Sequence, residues 1–275
     1  MRNVKLVLVV ISTLMVFGCA SEEQTAARRI PAGTKSTGGT GREGSVATSR
    51  YDWANALRVV RKHVVQIKAP NSHGTGFLVA TSGNIVGVAT ALHVVRRADE
   101  LQQPIRITHF DSHRSVVLES EQRLISKIEK MDSALICFRK EVLPLPDEPL
   151  SLPPQRNVRL MEGIEVGWCG YPAMLPNTLC FFSGRISAWI DDEESYLVDG
   201  VAIHGISGAP AFDITTMGVP VLVGLLTAYI PDRVTGESLP GVAVIRSINP
   251  YLSLFEKLGA PASGSSGDAT NRSGP

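Results

Sequence analysis

From about Asp52 to Leu258 the chain is a series of short apolar runs broken by glycine, proline and small polar residues. Strand-sized runs at this spacing leave no room for long helical periods and predict an all-β sandwich or barrel. The first set comprises Val64–Lys68, Gly76–Ala80, Ile85–Thr90, Ile105–Phe110, Ser115–Glu119, Leu124–Lys127 and Ala134–Phe138. A Thr-Ser-Gly-Asn stretch between the second and third of these reads as a hairpin turn. A proline-rich link, Leu143–Pro154, follows. The second set is Arg159–Leu160, Glu165–Gly170, Leu179–Ile186, Tyr196–Asp199, Ala209–Asp213, Val221–Tyr229 and Gly241–Ile245. The link divides the strands into two barrels, expected over residues 51–145 and 155–258. Asp52 is placed to cap a short helix through Val60, and Leu252, Leu254, Phe255 and Leu258 repeat at the spacing of a short C-terminal helix.

The two ends differ from this middle. Arg2 and Lys5 precede an apolar run, Leu6–Phe17, of about a dozen residues, too short to span a bilayer at ~1.5 Å per residue. It closes on Val16-Phe17-Gly18-Cys19, which resembles the bacterial lipobox. Residues 1–19 are therefore expected to be a lipoprotein-type signal peptide with Cys19 lipidated, the alternative being an ordinary secretory signal. Either reading takes the protein out of the cytoplasm: anchored to a cell-envelope membrane if Cys19 is lipidated, periplasmic or secreted otherwise. Residues 20–50 and 259–275 are rich in Ser, Thr, Gly and Ala without apolar period, and read as a flexible tether and a disordered tail. A net charge of +1 gives no electrostatic reason to expect a nucleic-acid partner. The histidines lack HExxH spacing and the cysteines lack a CxxC pair, so neither a metal nor another cofactor is expected.

Three segments carry acyl-transfer chemistry. Gly205-Ile206-Ser207-Gly208-Ala209-Pro210 sets a serine between glycines, which allow a sharp turn that exposes the hydroxyl and brings the Gly205 and Ser207 N–H groups together. Thr90-Ala91-Leu92-His93-Val94 puts a histidine at the end of an apolar strand, and Met131-Asp132-Ser133-Ala134-Leu135-Ile136 puts a carboxylate just before one. Each alone also reads as an ordinary turn, rim or cap residue. A base, its orienter and a nucleophile together make a triad.

In the order His, Asp, Ser, these segments resemble the chymotrypsin-like serine proteases, nearest the bacterial HtrA-type and glutamyl-endopeptidase branches. Gly74-Thr75-Gly76-Phe77, Gly170-Tyr171-Pro172 and Pro240-Gly241-Val242-Ala243 are similar to further motifs of that family. The resemblance spans about Val64 to Leu258, and the peptide-binding module that follows the protease in HtrA proteins is not expected after it. It implies two six-stranded antiparallel barrels with the site in the cleft between them. It also implies His93 as base, Asp132 as its orienter, Ser207 as nucleophile, and Gly205 and Ser207 as oxyanion donors. Val201, Ala202, His204, Thr227, Tyr229 and Gly241 would line the substrate pocket, with the Thr227 hydroxyl supporting Asp132. Ile206, apolar where the family often has a polar residue, cannot pair with a new N-terminus. Leu92 is larger than is usual there.

The function expected is an exported serine endopeptidase acting on envelope proteins or peptides. A catalytically inactive homologue that binds envelope proteins is the alternative from another class, and an esterase with the same triad is a third reading. Cys169 and Cys180 are candidates for a disulfide, with the pairing left open, and Cys137 reads as a buried apolar residue.

Overall fold

A computed structural model describes residues 52–148, 150, 159–214, 219–231 and 238–251. The leader, Cys19, the tether, the tail and the terminal helix beyond Tyr251 lie outside the described residues. Among the described residues no helix is long and apolar enough to cross a membrane.

Asp52 caps α1 (Trp53–Val60), its carboxylate accepting the Asn55 N–H at 3.0 Å. The first sheet contains β1 (Val64–Ala69), β2 (Ser72–Ser82), β3 (Ile85–Ala91), β4 (Ile105–His109), β5 (Ser115–Leu118), β6 (Arg123–Ile128) and β7 (Ser133–Arg139), with α2 (Leu92–Glu100) following β3. Their order is β5-β4-β1-β2-β3-β7-β6, antiparallel throughout. The half-barrel so formed has seven strands, not six, and it is not closed. Its edges, β5 and β6, are separated by Glu119–Gln122, where the Glu119 N–H donates to the Gln122 side chain at 2.9 Å and turns the chain. Closure does hold for the second barrel. There β8 (Glu165–Gly170), β9 (Cys180–Ile190), β10 (Ser195–Asp199), β11 (Pro210–Asp213), β12 (Val221–Pro231) and β13 (Ser238–Ser247) follow the order β10-β13-β12-β11-β8-β9, with β9 pairing back to β10. The two-barrel architecture expected from the resemblance is thus present.

Two local expectations change. Arg159–Leu160 is not a strand; the Leu160 N–H donates to the Tyr196 hydroxyl instead, at 3.2 Å. Cys169 and Cys180 are free thiols. Cys169 lies opposite Phe181 in the β8–β9 ladder, so Cys180 is one residue out of register and its side chain faces the other side of the sheet. Burial pushes the Cys169 thiol far above its ordinary range.

The larger core cluster draws on both halves, from Val64, Phe77 and Leu135 in the first to Phe212, Leu225 and Tyr251 in the second. Segments outside the strands cross between the halves. Trp53 of α1 stacks near Phe181 and Phe212 at 5.6 and 5.8 Å, and the Tyr251 hydroxyl donates to the Ala134 carbonyl at 3.5 Å.

Candidate active site

His93 does not end a strand. β3 stops at Ala91, and His93 is the second residue of α2, whose Leu92, Val94, Val95 and Ala98 are buried. Ala91, at the cap position, has no side chain that can accept the first N–H groups of the helix. Asp132 does this from forty positions along the chain: its carbonyl accepts the Leu92 N–H at 2.8 Å, and Oδ1 accepts the His93 N–H at 3.0 Å. The other carboxylate oxygen, Oδ2, accepts a hydrogen bond from His93 Nδ1–H at 2.6 Å. One carboxylate therefore caps the helix and orients the ring. To do so Asp132 adopts a left-handed conformation, φ +47° and ψ +46°, which aspartate tolerates better than most residues. Leu92 fits without displacing its neighbour, because its side chain is fully buried in the core.

Ser207 stands on a loop of the second barrel. Gly205, φ +94°, is the third residue of a turn closed by the Ile206 N–H to the Ile203 carbonyl at 3.3 Å, the placement a type II turn requires. The His204 carbonyl accepts the Ala173 N–H at 2.7 Å, so the Gly205 N–H in the same peptide plane points the opposite way. Gly208, φ +84°, is pressed so close that a Cβ would meet the Thr75 carbonyl and lie 2.5 Å from Thr90 Oγ1. Among the described residues neither the Gly205 nor the Ser207 N–H has a hydrogen-bond acceptor. Two uncommitted donors beside a serine are what a developing oxyanion needs. Ile206, apolar and buried, anchors the loop in the second barrel's core. The Ser207 hydroxyl and the His93 ring make no hydrogen bond with each other; such bonds often tighten only once substrate is seated.

Thr75 joins the two halves, and sequence reasoning gave it no role. It is completely buried. Its N–H donates to the Ser207 carbonyl at 2.8 Å, its hydroxyl donates to the Gly205 carbonyl at 3.1 Å, and the Tyr171 N–H donates to that hydroxyl at 2.9 Å. Thr90 in turn donates to the Thr75 carbonyl at 2.7 Å. One threonine of β2 thus fixes both ends of the turn that carries Ser207. Its place inside Gly74-Thr75-Gly76-Phe77 was the available signal.

The expected pocket residues are placed as follows. Val201 is exposed, Ala202 half-buried and His204 exposed at the loop's edge. The Val201 carbonyl accepts the Trp168 indole N–H at 3.2 Å, and the Gly200 N–H donates to the Gly241 carbonyl at 2.8 Å, which ties this segment to β13. Thr227 is buried, but its hydroxyl has no hydrogen bond among the described residues, so the support of Asp132 comes from the α2 backbone. The Tyr229 main chain pairs with Ala243; its side chain lies outside the described residues.

Residues 74–225, more than half of the chain, match the trypsin-like peptidase domain family. No curated protein matches. Among solved structures the chain is similar to a serine-to-alanine mutant of Rv3671c from M. tuberculosis H37Rv in its inactive form, with a TM-score of 0.54 and 19% identity over 74% of this chain and 90% of that one. It is also similar to the serine endoprotease from Yersinia pestis, with a TM-score of 0.57 and 20% identity over 78% of this chain and 67% of that one.

Proposed function

Because the chain belongs to the trypsin-like peptidase family, we propose that it is an active serine endopeptidase using Ser207, His93 and Asp132. The observation that carries this reading is the 2.6 Å Asp132–His93 bond beside a serine turn whose Gly205 and Ser207 N–H groups are uncommitted. In the proposed reaction His93 Nε2 takes the Ser207 proton as Oγ attacks the carbonyl carbon. The tetrahedral oxyanion sits on the two N–H groups, the C–N bond breaks, and His93 gives the proton to the leaving amine. Water, deprotonated by His93, then hydrolyses the acyl-enzyme.

Val201 and Ala202 present no charge for a basic side chain before the scissile bond, so cleavage after small or medium apolar residues is proposed. The leader supports export with a lipid anchor at Cys19, and substrates in the cell envelope follow from that location. Proteome-derived peptides digested with the wild-type protein should be cut mainly after Ala, Val or Leu, and Ser207→Ala should leave them intact. Equal cutting by Ser207→Ala would refute the triad; cleavage mainly after Lys, Arg or Glu would refute the pocket.

A further inference from the structure

Two cavities flank the β1–β2 turn, and His93 borders the smaller of them. One, of about 180 Å³, is lined by His93, Val94, Asn71, Arg97 and Gln103. The second, of about 330 Å³, lies across the turn and is lined by Lys68, His73, Ala173 and Pro176. Among the described residues no carboxylate lines either cavity. Of the two acids nearest Arg97 in sequence, Asp99 pairs with Lys127 at 2.6 Å and Glu100 makes no ion pair with Arg97 among the described residues; Glu129, across from α2, pairs with Arg96 at 2.6 Å. Among the described residues Arg97 and Lys68 have no ion pair. Among the described residues Gln103 Oε1, buried in the wall of the smaller cavity, has no hydrogen-bond partner, and its amide plane can turn to present the N–H₂ instead. The site therefore combines an uncommitted guanidinium and an unsatisfied amide next to the base.

We propose that Arg97 selects an acidic side chain on the residue directly after the scissile bond. This rests on the reading of His93 as the group that protonates the leaving amine, since the leaving half of the substrate must then run past His93. Its first side chain enters the smaller cavity, where Arg97 and the Gln103 amide both donate to a carboxylate. Lys68, across the turn, adds positive potential on the same side without contacting that residue. An exposed pair of this kind is worth a modest factor, so the preference is for a residue, not an absolute requirement.

The test uses quenched-fluorescence peptides that are identical except for Asp or Asn after the scissile bond, with cleavage sites mapped by mass spectrometry. The wild-type protein should favour Asp by about five-fold in kcat/KM. Arg97→Gln should bring the ratio close to one, and Arg97→Lys should keep part of it. Because the readout is a ratio within one protein, a general loss of folding or activity in a variant does not mimic the effect. Equal rates for Asp and Asn in the wild type, or an unchanged ratio in Arg97→Gln, would overturn the inference and leave the peptidase reading standing. No cleavage of any peptide by the wild type would overturn both.

Discussion

The two sides of the cleft reach their geometry by different routes. On the first-barrel side, Asp132 satisfies the start of α2 and holds the His93 ring with the same carboxylate, so carboxylate and imidazole form one hydrogen-bonded unit. On the second-barrel side, the Ser207 turn rests on two positive-φ glycines and on Thr75, which reaches it from the other sheet. The histidine side is thus built within its own sheet, whereas the serine side is completed only when the two halves dock. Chemistry that needs both is sensitive to the docking contact as well as to the triad atoms.

Asp132→Asn probes the self-contained side and should have the largest effect among variants that keep Ser207. Asparagine can still accept the His93 N–H, so the helix cap and the melting temperature should change little. Its amide, however, faces Nδ1 with a donor and favours the wrong tautomer, and kcat should fall by roughly 10⁴-fold. Asp132→Ala should lose the cap as well, with a further stability loss of ~1 kcal/mol. Denaturant titration together with peptide kinetics separates the two variants; equal stability in both would mean that the cap is not made by this carboxylate.

Thr75→Val probes the docked side and should have a smaller effect. Valine keeps the shape and the main-chain bond to Ser207 but leaves the buried Tyr171 N–H without an acceptor, at a stability cost of about 1–3 kcal/mol. Loss of the hold on Gly205 should lower kcat by about 10- to 100-fold with KM little changed, because a shift of about 1 Å at the reacting atoms costs on this order. Thr75→Ser should recover most of kcat. A Thr75→Val enzyme with normal kcat, or one changed only in KM, would show that the strut does not position the nucleophile.

The same contrast explains what was legible in the sequence. Strand runs were readable because β3 and β7 are buried along nearly their whole length and so appear as continuous apolar segments. The Ser207 turn was readable because its glycines are adjacent to it in sequence. The helical setting of His93 was not: Leu92-His93-Val94-Val95 continues the apolar character of β3, and the cap that starts α2 lies at Asp132. Local pattern does not report a cap supplied from a turn forty residues away. The open edge of the first half was hidden for a related reason, since a run that forms a strand says nothing about whether it finds a neighbour on both sides. Thr75 and Arg97 escaped because their importance lies in contacts and cavities that exist only after β2, α2 and the Ser207 loop come together.

Covalent labelling tests the central claim most directly. Purified protein treated with an aryl or alkyl fluorophosphonate should gain one adduct per chain, mapped by peptide mass spectrometry to Ser207, with labelling slowed by orders of magnitude in Asp132→Asn and absent in Ser207→Ala. Failure of the folded wild-type protein to react, or an adduct on another residue that persists in Ser207→Ala, would contradict the assignment of Ser207 as the activated nucleophile.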